Sequence, residues 1–374
     1  MNPILIEDNQ TLTQFCDKLI KEPLLAVDTE FFRETTYFPH LGLIQIAGNE
    51  DIICIDPLAF DAREQLRRLF FNPDIIKVLH SCSQDMEVLF QYFGDLPAPI
   101  FDTQIAAAML GFQDQIGYAK LVAQEYEVEL DKSQTRTNWL KRPLSAKQIE
   151  YAGEDVLYLL PLYEKFNAAL KDNERDSWLQ EDCEQLCGNS ERFQPDMENC
   201  WLRVKGYIQL EGMQLAVCRS IAQWREHLAI EQDLTRRKVM ADDLVLKLSA
   251  ATNSTQLIAT DKYIARFSAG EQKKLAQAIE AGLSVPESEW PWVNRQRPSA
   301  EEKSQLKQLQ SVVQNRADAL NIHQSVLCSK KDLEKLMKGS RQGKLFTGGR
   351  IDCNGQTLLD EVEEAKLPKI SNKI

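Results

Sequence analysis

No stretch of this chain approaches the roughly 18 uninterrupted apolar residues of a membrane-spanning helix, so no span is expected. The N-terminal Met-Asn-Pro-Ile-Leu-Ile-Glu-Asp lacks a basic region followed by an apolar run, and no signal peptide is expected. No G-x-x-x-x-G-K-[ST] loop occurs, which argues against a helicase and against a bound nucleotide cofactor. Zinc spacing is missing as well. Cys183 and Cys187 are the closest pair of the nine cysteines, with no His or second pair near them. An odd, scattered set of cysteines fits reduced thiols, and a cytoplasmic location is expected. Positive charge is in deficit: 44 Lys and Arg against 56 Asp and Glu leave a net charge of −12. That balance excludes a protein that grips nucleic acid by bulk electrostatics, but not an enzyme with a local basic path. Lys141-Arg142, Arg236-Arg237-Lys238 and Lys273-Lys274 are the local basic clusters, each by itself an ordinary solvated face. Low-complexity tracts are also missing.

What is present divides into two regimes. With 374 residues the chain has room for two or three domains. In the first half, strand-like runs at residues 24–27, 43–47, 52–55 and 75–79 are rich in Ile, Val and Leu. Amphipathic stretches at residues 65–71, 86–93 and 103–110 follow or separate them. The alternation predicts an α/β domain, and the closely spaced early strands predict a mixed sheet. From about residue 175 strand-like runs vanish and helical patterns dominate, among them Ala216–His227, which carries Ile221 and Trp224. Polar, Pro-containing joints at 190–198 and 286–298 predict an α/β domain over 1–190 and helical modules over 205–288 and 295–374.

The chemistry concentrates in acids. Asp28 and Glu30 interrupt the apolar strand Ala26–Phe31, and their i, i+2 spacing points both to one face. Ionised groups do not sit unpaired in an interior, so either this strand end faces water or a hard divalent cation joins the pair. Asp85 follows the strand-to-helix run Lys77–Ser83, in the first helical turn, where the dipole favours a carboxylate. Asp102 falls where a strand ends and a helix begins, a capping position. Ser145 and Gln148 have capping-box spacing and open a helix that places Tyr151 and Asp155 one turn apart on one face. Gly153 inside that helix costs about 1 kcal/mol against Ala, a cost that signals close packing.

Three motifs in order carry a family resemblance: Val27-Asp28-Thr29-Glu30-Phe31, His80 through Asp85, and Tyr151-Ala152-Gly153-Glu154-Asp155. Over residues 1–175 the chain resembles the tyrosine-bearing DEDD 3′-to-5′ exonucleases, and within them the ribonuclease D family. Pro39 through Gln45, Phe101-Asp102-Thr103 and Leu130 through Ser133, leading to Trp139, support the match. Residues 210–283, with Trp224-Arg225, Asp233 and Arg236-Arg237, are similar to an HRDC module, and the region after Pro298 fits a diverged second one.

The resemblance implies a ribonuclease H-like mixed sheet flanked by helices, followed by two small all-α HRDC-type domains. It implies two divalent cations, Mg²⁺ or Mn²⁺, held by Asp28, Glu30, Asp85 and Asp155, with Asp28 between them and Tyr151 orienting the attacking water. The implied substrate is RNA with a single-stranded 3′ end, tRNA precursors in particular, cut to 5′-mononucleotides by a monomer. Phe31, Gln45, His80, Asp102 and Arg136 are the candidate substrate contacts, with Phe32, Lys141 and Arg142 nearby. Trp139 reads as core. A DNA-directed exonuclease of the same superfamily and a non-catalytic HRDC scaffold are the alternatives. The presence of all four acids and the tyrosine speaks against the scaffold.

Overall fold

A computed structural model describes residues 2–350, apart from 252, 296–297, 339, 341–343 and 347–349. The sheet is built from β1 (Ile4–Ile6), β2 (Leu24–Phe32), β3 (His40–Ala47), β4 (Ile52–Ile55), β5 (Ile76–Leu79) and β6 (Ile100–Asp102), in the order β1-β4-β3-β2-β5-β6. β3 and β4 run antiparallel, while β1 pairs parallel with β4, and β5 parallel with both β2 and β6. The mixed sheet is as the sequence pattern predicts. β1, at three residues, is too short to show as an apolar run, whereas β6, equally short, is the strand that the pattern ends at Asp102.

Around the sheet lie α1 (Asn9–Leu19), α2 (Arg63–Phe70), α3 (Ser83–Phe93), α4 (Thr103–Met109), α5 (Tyr118–Tyr126), α6 (Ala146–Leu157), α7 (Leu159–Asp172) and α8 (Asp176–Cys187). The capping box of Ser145 and Gln148 forms as the spacing predicts and starts α6. α6 crosses β2 and β4, and α7 crosses β2 and β5. A small apolar cluster of Leu43, Cys54, Trp139, Leu144 and Ala152, with Ile149 and Tyr151 against it, ties the helix to the strands. Burying side chains of this size contributes about 1.5–3 kcal/mol each. Arg142 locks the approach to α6, donating to Asp56, to the Gly42 carbonyl at 2.7 Å and to the Trp139 carbonyl at 2.7 Å.

The chain packs as two compact units. The first contains the sheet and α1–α8, together with the described residues from Pro298 onward: α14 (Ala300–Ala319), α15 (Gln324–Leu327) and α16 (Lys330–Met337). The sequence pattern sets this last region apart as a module over 295–374, of which residues 351–374 lie outside the described residues. Its described helices group with the first unit. Arg175, nearly fully buried, donates to the Met109 and Leu320 carbonyls at 2.6 Å each, and Arg350 pairs with buried Asp182 at 2.8 Å. Buried cations need such fixed acceptors, so these bonds weld the segment to α4 and α8.

The second unit holds residues 191–295 with α9 (Met213–Glu231), α10 (Arg236–Val239), α11 (Asp242–Ala250), α12 (Ser254–Thr260) and α13 (Ala269–Leu283). α9 packs on α11 and α13 around Ile221, Trp224, Leu228, Val245, Leu248 and Ile279. It also includes the connection Arg33–His40 between β2 and β3. There Asp233 accepts the Tyr37 and Phe38 backbone N–H groups at 3.0 Å each, and the Tyr37 hydroxyl donates to buried Glu226. Tyr37 also lies under the Arg236 guanidinium, 4.8 Å from its ring centre.

Gly153 sits where α6 meets the N-terminal segment. A Cβ there would stand 2.8 Å from Pro3 Cγ and 2.9 Å from Pro3 Cβ. Gly153→Ala is therefore expected to lower the melting temperature, although Ala favours an isolated helix by about 1 kcal/mol. Thermal and urea denaturation check the sign. A gain in stability would show that the packing against Pro3 does not constrain the helix.

Candidate metal centre and nucleic-acid cleft

β2 is nearly continuous in apolar residues because it is covered on both faces, and its two acids lie toward its far end. Asp28 and Glu30 project to one face, and α6 brings Asp155 to them. Oxygens of these three carboxylates lie within 4.8 Å of one another, the only such metal-competent group among the described residues. Asp85, in the first turn of α3 and 7% exposed, completes the acidic wall of an open cleft of about 300 Å³. Phe31, His80, Ser81, Gln84, Tyr118, Tyr151 and Leu159 line it too.

So many acids in one half-buried place cannot all carry charge without a counter-ion. Burial raises the Asp28 carboxyl well above its usual range, and Asp85, Asp155 and Glu30 raise it further. Burial, then Asp155 and Asp85, push Glu30 up to about 9. Burial lifts Asp155 to about 7, opposed by a hydrogen bond from Tyr151 and reinforced by Glu154. Asp85 rises to about 6 for the same first reason, opposed by Thr29. An all-oxygen, all-carboxylate donor set with this much repulsion fits a hard divalent cation.

Local bonding fixes these side chains. Strand alternation turns Thr29 away from Asp28 and Glu30, yet its hydroxyl, in a 5% exposed side chain, donates to Asp85 Oδ1 at 2.5 Å. Asp85 is thereby left with its other oxygen to offer the cleft. Tyr151 stands one turn before Asp155, on the same face, and has its hydroxyl 3.3 Å from Thr135 Oγ1. Burial holds the Tyr151 hydroxyl above its usual range, followed by the charge of Asp155, so it stays protonated at neutral pH.

The five core residues of the sequence reading, Asp28, Glu30, Asp85, Tyr151 and Asp155, are brought together in one cleft. Of the candidate substrate contacts, Phe31 and His80 line it. Both His80 nitrogens already have partners: Nε2 donates to the Ile116 carbonyl at 2.9 Å and Nδ1 lies 2.9 Å from Thr103 Oγ1. Burial lowers its pKa, so the ring is neutral with the proton on Nε2, while the Thr103 hydroxyl beside Nδ1 donates to the Leu79 carbonyl at 3.0 Å.

Gln45, Asp102 and Arg136 are not among the lining residues. Gln45 is fully buried on β3, opposite Cys54. Asp102 caps α4 through the Gln104 and Ile105 N–H groups and also accepts the Ser81 and Cys82 N–H groups at 3.1 and 2.8 Å. Its oxygens are saturated in shaping the β5–α3 turn. Arg136 is exposed, and Arg142, a nearby candidate, is consumed by its bonds to Asp56 and three carbonyls. Trp139 is core, at 2% exposed. Thr29 and Tyr118 were missed: alternation argues against a residue on the wrong face, and Tyr118 lies in no motif.

The profile of a family described as a 3′-5′ exonuclease matches residues 3–171. Ribonuclease D of Pseudomonas paraeruginosa is 35% identical over 368 residues, covering 96% of this chain and 97% of that protein. Ribonuclease D of Haemophilus influenzae is 34% identical, covering 89% of this chain and 84% of its own length. Among solved structures, Escherichia coli ribonuclease D, described as an exoribonuclease involved in structured RNA processing, superposes with a TM-score of 0.84 and 30% identity. That alignment covers 97% of this chain and 99% of the other.

The raised carboxyls give a test without substrate. In the metal-free fold Asp85 and Asp155 bind protons that the unfolded chain has lost, so stability falls as pH rises from about 4 through about 7. In EDTA the melting temperature should drop across that window. Added Mg²⁺ or Mn²⁺ should restore it at the upper end, where the cation replaces the protons. Identical melting profiles with and without metal at pH 8 would contradict a metal centre here.

Proposed function

The chain belongs to the ribonuclease D family of 3′-to-5′ exoribonucleases, and on that premise we propose that it trims the single-stranded 3′ ends of tRNA precursors, releasing 5′-mononucleotides. The observation that carries this reading is the convergence of Asp28, Glu30 and Asp155, with Asp85 and Tyr151 in the same cleft. In this reading Asp28, Glu30 and Asp155 would hold one divalent cation, and Asp28 with Asp85 would hold a second. When bound, such a pair acidifies the attacking water and neutralises charge on the leaving oxygen.

The chain's own groups do the rest. Tyr151, kept protonated, cannot act as a base; it orients the water by hydrogen bonding. Phe31, partly exposed in the cleft, offers a face for the terminal base to stack on. His80 has both nitrogens engaged, so its contribution to RNA is its ring face and its fixed position beside Tyr118, at 5.6 Å between ring centres. Residues 205–288 serve as an HRDC-type RNA-holding module, with the region from 295 a diverged second one. The enzyme works as a cytoplasmic monomer. Among the described residues no helix is long and apolar enough to cross a membrane, in keeping with a location in the cytoplasm.

A 5′-labelled single-stranded RNA incubated with Mg²⁺ or Mn²⁺ should shorten stepwise from its 3′ end. EDTA or Asp28→Asn should abolish the ladder. Tyr151→Phe should slow it by about 100-fold, the cost of a misplaced reactant, while leaving metal affinity intact. A precursor tRNA with extra 3′ nucleotides should be trimmed faster than a generic RNA. RNA left intact under both metals would overturn the enzymatic reading, and equal trimming of DNA would overturn the RNA selectivity.

A further inference from the structure

α6 and α7 form one helical path interrupted at Tyr158. In an unbroken helix the Tyr158 N–H would donate to the Glu154 carbonyl four residues earlier. The Tyr118 hydroxyl, from α5, stands between those two groups instead. It accepts the Tyr158 N–H at 3.0 Å and donates to the Glu154 carbonyl at 3.0 Å. One hydroxyl thus occupies both ends of the missing rung, and insertion of a side chain into the ladder is a recognised cause of a kink. Pro161 removes the N–H that would reach Leu157, a different rung; it leaves the 154–158 bond free to form. The opened rung closes the turn that carries Asp155, directly after Glu154 and one turn beyond Tyr151. Tyr118 itself lines the cleft.

We propose that Tyr118 is a positioning residue of the active centre: its hydroxyl holds the catalytic helix open at Glu154–Tyr158 and so sets where Asp155 stands relative to Asp28 and Glu30. The inference rests on the metal-dependent reading above. Without the hydroxyl, the partly buried Glu154 carbonyl loses its side-chain partner and the Tyr158 N–H keeps only the strained contact to the Val156 carbonyl two residues back, so pairing the two is favoured. They close onto each other, the last turn of α6 rewinds, and Asp155 leaves the carboxylate cluster.

The test is Mn²⁺ affinity, read without RNA by electron paramagnetic resonance. Tyr118→Phe should fold cooperatively and bind RNA normally in EDTA, but bind Mn²⁺ about 10- to 100-fold more weakly, the usual cost of losing a group that orients a ligand. Its kcat should fall with KM for RNA unchanged and recover at high Mn²⁺. Pro161→Ala, which keeps the hydroxyl, should retain wild-type Mn²⁺ affinity, and it tests the proposal even if Tyr118→Phe misfolds. Wild-type Mn²⁺ affinity in Tyr118→Phe, or a loss in Pro161→Ala, overturns the inference while leaving the exonuclease reading standing. Failure of the wild-type protein to bind Mn²⁺ would instead overturn that reading.

Discussion

Mutual repulsion among Asp28, Glu30, Asp155 and Asp85 is the constraint around which this fold is arranged. Each acid sits where burial and its neighbours raise the cost of charge. A folded chain meets that cost with protons or with a cation, and at neutral pH protons are scarce for the more acidic members. That electrostatic cost is what makes the cleft a candidate metal centre rather than a solvated strand end. It also reconciles a net charge of −12 with an anionic substrate, since positive charge enters with the ions.

Holding four repelling groups in place demands rigid support, and the support comes from backbone bonds and hydroxyls. Asp102 spends both oxygens on four N–H groups and fixes the turn from which α3 presents Asp85. Thr29 pins one oxygen of that carboxylate from the opposite side of the strand. Trp139 and Leu144 seat α6 on the sheet, and the Tyr118 hydroxyl sets where that helix ends. None of these groups belongs to the carboxylate cluster itself. Each removes a freedom that repulsion would otherwise exploit.

The acids themselves were legible because their spacing has one meaning in each element: i, i+2 on a strand, i, i+4 between Tyr151 and Asp155 on a helix. The Ser145–Gln148 box was legible for the same reason, as a local rule acting over three residues. Gln45 and Asp102 show where that legibility ends. A polar residue beside a strand end looks alike whether it faces RNA or satisfies its own backbone, and only the folded partners decide. The grouping of the helices after Pro298 with the sheet was also hidden. It depends on Arg175 reaching the Met109 and Leu320 carbonyls, contacts 66 and 145 residues away in sequence. The connection 33–40 reads as a loop between strands, yet it is stitched to Asp233 and Glu226 in the helical unit.

Anomalous diffraction from crystals equilibrated with Mn²⁺ tests the central claim most directly. The account predicts peaks in the cleft, one ligated by Asp28, Glu30 and Asp155 and a second sharing Asp28 on the side of Asp85. An empty carboxylate cluster in crystals of protein that still degrades RNA would contradict it.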